Sequence, residues 1–336
     1  MTSAPAALAS KPGSVDLLID LAKADMAGVD ALIVQRMQSP VAVIPALAEH
    51  LIAAGGKRLR PLLTVAADRL AGGADDNCLK LAAAVEFIHT ATLLHDDVVD
   101  GSQLRRGKVA AHLIWGAAQS VLVGDFLFAR AFELMVETSS IKALDILARA
   151  SRVIAEGEVL QLTRAHDLKL SQDVYLEIIA AKTAELFAAA AEAGAVAAGA
   201  GDDARIALRD FGLNLGLAFQ LADDALDYGG ETAALGKNAG DDFREGKATL
   251  PLLLAIARTG EAEAAFWEKT IGRLEQTDED FLRARDLIAN SGAISATLEL
   301  AAVYAGAAKQ ALRVFPANDW RAALEALADF SVSRRS

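Results

Sequence analysis

The chain has 336 residues, 53% of them hydrophobic but only 5% aromatic, and a formal net charge of -12. Such an acidic balance leaves no basic footprint for nucleic acid. Cys78 is the only cysteine, which excludes an intramolecular disulfide and a cysteine-rich metal site and leaves a buried free thiol as its expected role.

A core built mainly from Ala, Leu, Val and Ile, interrupted by only seven prolines, is a helix-former's composition. No stretch runs to about 18 apolar residues without charge, and no charged-then-apolar signal peptide opens the chain. The expectation is a soluble cytoplasmic protein. Met1 to Ser14, rich in Ala, Ser and Pro, is expected to be disordered ahead of one domain over 15–336. From Val15 to Met37 the apolar positions suit an amphipathic helix. Pro40 and Pro45 precede a short helix to about Ala54, which Gly55 and Gly56 end. Pro61 suits the first turn of a helix to about Leu70, and a long helix follows from Asn77 through Asp100. Asp125 to Met135, Ile141 to Glu158, Gln172 to Ala198 and Asp202 to Tyr228 read as further helices. Several are apolar on most sides, as buried helices of a large bundle are. Gly229 to Gly246 is the longest polar, glycine-rich break. After it come a helix from Leu250, an acidic turn around Thr277 to Asp280, and two helices ending near Phe330. No alternating strand pattern is present, and no linker divides the chain. The expected fold is one all-α domain.

Chemistry concentrates in Leu93 to Lys108, LLHDDVVDGSQLRRGK. On a helix Asp96 and Asp100 stand one turn apart on one face, with Asp97 beside them. Three carboxylates that close repel one another unless a hard divalent cation lies between them. Arg105 and Arg106 can grip phosphate in a fork that lysine cannot offer. Alone, such a motif is more often a solvated helix end. A second copy, Asp223, Asp224 and Asp227 in QLADDALD, changes that balance. Two such motifs on separate apolar helices can face each other across a cavity.

Other stretches supply cations. GGKRLRP sets Lys57, Arg58 and Arg60 where a helix begins, which suits an anion, although a solvated basic turn reads equally well. His89 lies two turns before Asp96 on the same face. In AKTA, Lys182 sits beside Thr183 inside an apolar helix, and a buried lysine needs a carboxylate or phosphate. LGKNAGDDFREGKATLP adds Lys237, Asp241, Asp242 and Lys247, and it lacks the spacing and the hydroxyl residue of a P-loop.

These stretches together resemble the trans-isoprenyl diphosphate synthases, or polyprenyl synthetases, in family order and over nearly the whole chain. The resemblance implies a homodimeric bundle of roughly a dozen helices around a central cavity. It implies that Asp96, Asp100 and Asp223 hold about three Mg²⁺ ions, supported by Asp97, Asp224 and Asp227. Lys57, Arg60, His89 and Arg106 look like the isopentenyl diphosphate site. Arg105, Lys182, Thr183, Gln220 and Lys237 look like the site for an allylic diphosphate, farnesyl or geranyl. Arg334 and Arg335 match the family's basic tail. In that chemistry the cations stabilise departing diphosphate, the allylic C–O bond ionises, and the double bond of isopentenyl diphosphate attacks. No protein nucleophile is needed.

The growing tail has to pass Thr92, Ala91 and Ile88 on the helix that carries the first motif. Ala91 and Thr92 are small, where short-chain members of the family place a bulky aromatic. The short D-D-x-x-D form points the same way. A long product is expected, octaprenyl to decaprenyl, of the kind used for quinone side chains, with Phe128 or Phe132 as the floor of the path. Such a product could bring the protein to a membrane surface. The competing readings are a geranylgeranyl or farnesyl synthase, a terpene cyclase, and a non-catalytic partner subunit or helical scaffold.

Overall fold

The computed structural model describes residues 15–53, 58–105, 107–229 and 240–333. Residues 1–14, with Lys57, Arg106, Lys237, Arg334 and Arg335, lie outside that set.

Helix α1 (Val15–Arg36) buries Leu18, Ala22, Val29 and Ile33 along one stripe and leaves its other side to water. Next come α2 (Val43–Ala53), α3 (Leu59–Leu70) and α4 (Asn77–Val99). α3 is buried at every position from Pro61 to Asp68, so it is an interior helix. After α4 the chain forms a small antiparallel pair, β1 (Leu104–Arg105) and β2 (Lys108–Val109), with Arg105 opposite Lys108. No strand is expected there from sequence, because two residues per strand are too few to leave an alternating signature. Then follow α5 (Ala111–Trp115), α6 (Ala117–Glu137) and α7 (Ile141–Thr163). α6 begins ahead of the expected Asp125, and α7 continues past Glu158.

The single helix expected from Gln172 to Ala198 has a break in it. It runs as α8 (Gln172–Ile179), a π-helical turn over Ala180–Ala184, and α9 (Glu185–Ala197). The Glu185 N–H reaches back five residues to the Ala180 carbonyl. α9 is buried from Glu185 through Ala195, as an alanine-rich helix at the centre of a bundle should be. It packs against α3, α4, α7 and α10 (Asp202–Gly229).

The remainder is α11 (Asp241–Arg244), α12 (Leu250–Thr259), α13 (Ala264–Trp267), α14 (Asp278–Asn290), α15 (Ala293–Ala311) and α16 (Asp319–Ser333). The acidic stretch at Thr277 is a helix start, which corrects the expected turn. Thr277 Oγ1 accepts the Asp280 N–H at 3.2 Å, and Asp280 Oδ2 accepts the Thr277 N–H at 2.9 Å. This reciprocal cap opens α14, and three helices instead of two end the described chain.

The architecture is all-α, as expected. One large hydrophobic cluster joins α1, α3, α4, α6, α7, α9 and α10, and two smaller ones lie toward the C-terminal helices. α4 and α10, the helices that carry the two aspartate motifs, both pack on α9, which fixes where the motifs stand. Among the described residues no single helix is long and apolar enough to cross a membrane.

Candidate active site

The first motif ends α4. The Asp100 N–H bonds the Asp96 carbonyl at 2.8 Å, so the two side chains stand one turn apart. Asp96 is half-buried, and burial pushes its carboxyl up to about 6. The Lys182 ammonium opposes that shift, while Glu158 and Asp100 reinforce it. Asp97 points elsewhere and is fully buried. Its Oδ1 accepts from Arg105 Nε at 2.8 Å and also from Nη2. Its buried Oδ2 has no hydrogen-bond partner among the described residues. The β1–β2 turn thus brings Arg105 back onto the motif. Burial works against the charge on Arg105, and the Asp97 contact outweighs it and raises its pKa.

The second motif lies in the last two turns of α10, where Asp223 is half-buried and Asp224 and Asp227 are buried. Asp224 carries a donor on each oxygen. Gln220 Nε2 lies 2.6 Å from Oδ1, and Tyr175 Oη lies 2.5 Å from Oδ2. Burial and the charge of Asp242 lift the Asp224 carboxyl well above the ordinary carboxylate range, against those two bonds. Burial, with Asp224 opposite, raises the Tyr175 phenol too, so the phenol keeps the proton it donates.

Two bridges join the motifs. One passes through the π-helical turn. Lys182 Nζ meets Glu158 of α7 at 2.9 and 2.7 Å, beside Asp96, while Thr183 Oγ1 donates to Gln220 Oε1 at 2.9 Å. The turn is gripped by glycines: a Cβ on Gly157 would lie 2.7 Å from the Ala181 Cβ and 2.9 Å from the Lys182 nitrogen. The other bridge is the segment after Gly240. Lys247 Nζ lies 3.0 Å from Asp100 Oδ2 and pairs also with Glu245. The Asp242 N–H donates to Asp227 Oδ2 at 3.3 Å. Burial disfavours the charge on Lys247, but Asp242, Asp100 and Glu245 together raise its pKa.

Arg60, on the first turn of α3, donates to His89 Nε2 at 3.1 Å and stacks over Phe187, 4.4 Å from the ring centre. The GGKRLRP and His89 signals therefore meet in space. Arg58 turns away to pair with Asp30 of α1. Lys57, Arg106 and Lys237 are outside the described residues.

Of the expected chain-length positions, Ile88 and Ala91 are fully buried, and Thr92 Oγ1 folds back on the His89 carbonyl at 2.8 Å. Phe128 is half-buried and stacks on His95, 6.1 Å between centroids, so it does lie beside α4. Phe132 is 42% exposed on the outward face of α6. Its exposure in the single chain leaves Phe128 as the more enclosed of the two expected floor positions.

Glu158, Tyr175 and Lys247 are members of this cluster that motif reading did not assign to it. Lys247 had a signal, a lysine directly after Gly246 in the loop that carries Asp241 and Asp242. Lys182 signalled that a carboxylate was needed, but which acidic residue answers it is decided by packing.

The donors suit a hard divalent cation: burial and neighbouring acidic groups raise the Asp96 and Asp224 carboxyls, and an oxygen on Asp97 is orphaned. Among the described residues no three such side chains already converge on one point.

The family model described as polyprenyl synthetase matches residues 41–288. The octaprenyl diphosphate synthase of Escherichia coli is 44% identical over 96% of this chain and 99% of its own length. A polyprenyl synthase structure from Caulobacter crescentus, complexed with calcium and isoprenyl diphosphate, is 79% identical with a TM-score of 0.95. It covers 97% of this chain and 100% of its own. A decaprenyl diphosphate synthase structure from Rhodobacter capsulatus is 51% identical with a TM-score of 0.91, over 96% and 99% of the two chains. With the two aspartate motifs bridged as described and these similarities over nearly its whole length, the chain belongs to the polyprenyl synthetase family.

Proposed function

We propose that this enzyme elongates an allylic diphosphate by successive trans condensations with isopentenyl diphosphate to an octaprenyl-to-decaprenyl product for quinone side chains. The observation that carries the reading is the double bridge between the motifs, which gathers carboxylates and cations around one place. Long-chain synthases among the similar proteins support the product class.

Asp96, Asp100 and Asp223 would hold Mg²⁺, with Asp97, Asp224 and Asp227 behind them. When bound, the ions supply Lewis-acid stabilisation of the departing diphosphate. Lys182, Thr183, Gln220, Arg105 and Lys237 bind and orient the allylic diphosphate; Lys182 exchanges its Glu158 partner for phosphate oxygens. Arg60 and His89, with Lys57 and Arg106, hold the second diphosphate so that its double bond faces the allylic carbon. The alanine-rich bundle excludes water, which would otherwise trap the allylic cation. The tail extends past Thr92, Ala91 and Ile88 toward Phe128.

The working form is a homodimer in the cytoplasm. Leu122, Ala129, Phe132 and Val136 recur at heptad-like spacing on α6, and Leu122 and Val136 are 65% and 63% exposed, so a second copy is the occupant this seam fits. Incubation with Mg²⁺, isopentenyl diphosphate and farnesyl diphosphate tests the reading. Elongation is expected; its absence would return the chain to the scaffold or partner-subunit reading.

A further inference from the structure

We propose that Tyr175 is a positioning residue whose hydroxyl, acting through Asp224, fixes the second aspartate motif for cation binding. The proposal rests on the metal-dependent reading above and deepens it.

Tyr175 is 3% exposed and comes from α8, two turns before Lys182. Its hydroxyl closes a four-member chain: Tyr175 to Asp224, Gln220 to Asp224, and Thr183 to Gln220, at 2.5, 2.6 and 2.9 Å. Every donor in it is neutral. A lysine or arginine at position 175 would neutralise Asp224 and weaken the local field that attracts a cation. A phenol orients the carboxyl group and brings no positive charge of its own. With both oxygens engaged and 3% exposure, Asp224 anchors α10 and leaves coordination to its neighbour Asp223. The same chain ties that anchor to the Lys182–Thr183 turn, so the diphosphate-binding turn and the metal-binding turn share one support. Partners of this kind behind a ligand set commonly control metal affinity by about 10- to 100-fold.

The experiment measures thermal stabilisation of the full chain by inorganic diphosphate as MgCl₂ is titrated, for wild type, Tyr175→Phe, Asp224→Asn and the double variant. Tyr175→Phe removes one hydroxyl and keeps the ring. The expected result is a ligand-free melting temperature within a few degrees of wild type and an Mg²⁺ midpoint raised about tenfold or more. In the Asp224→Asn background Tyr175→Phe should add nothing, because its effect passes through that carboxylate. Gln220→Met, measured alongside, strips the other donor from Asp224 and should shift the midpoint the same way. An unchanged midpoint in folded Tyr175→Phe, additive effects in the double variant, or, where Tyr175→Phe does not fold, no shift in Gln220→Met would each overturn the proposal. Wild type without any Mg²⁺-diphosphate stabilisation would overturn the metal-dependent reading itself, and this inference with it.

Discussion

At the scale of single residues, the aspartates were legible because their chemistry is local: spacing along a helix sets which carboxylates share a face. Their partners were not, since Glu158 and Tyr175 reach the site only through packing of α7 and α8 on α9 and α10. Asp96→Asn keeps the shape and removes a cation ligand. It should lower product formation by about 100-fold or more, near 3 kcal/mol of barrier, with the helical circular dichroism unchanged. Asp68 offers a separate test away from the site. It is fully buried, its Oδ2 bonds Arg69 at 2.7 Å, and burial pushes its carboxyl up to about 6. A carboxyl raised in the folded state stabilises fully below its unfolded value, near 4, and that contribution is lost as pH rises through 6. Two pKa units correspond to at most about 3 kcal/mol. Urea unfolding from pH 4 to 7 should show Asp68→Asn gaining on wild type as pH rises. A constant difference would contradict the assignment.

Among the elements, helices α1, α4 and α10 were readable from apolar periodicity nearly to the residue. The π-helical turn at Ala180–Ala184 was not, because one inserted residue in an alanine-rich helix leaves the hydrophobic pattern intact. Its position depends on Gly157, where a side chain would meet Ala181 and the Lys182 nitrogen. Gly157→Ala should therefore cost about 1–3 kcal/mol in thermal unfolding. It should also raise the KM for the allylic substrate more than it lowers kcat, because the Glu158–Lys182 pair shifts with α7. An unchanged melting temperature and KM would show that α7 yields freely. The acidic stretch at Thr277 was misread for a different reason: a capping box and a polar turn share their residue types, and only the helix that follows separates them.

For the whole molecule, the absence of alternation and of a dividing linker sufficed to give an all-α bundle. An uncovered apolar face was less legible, since on a helix it reads as core until packing shows it exposed. Phe132 is the instance: expected as a floor candidate, it is 42% exposed in the single chain. If copies pair through α6 as proposed, Leu122→Asp should halve the mass seen by light scattering. An unaltered mass would place the contact elsewhere. The reading of a long product rests on the small side chain of Ala91 below the aspartates. Its most direct test is to size the dephosphorylated products made from farnesyl and isopentenyl diphosphates by wild type and by Ala91→Phe. A wild-type ladder ending at octaprenyl to decaprenyl is expected, with arrest near geranylgeranyl in the variant. A wild-type ladder that itself stops at geranylgeranyl would contradict the reading.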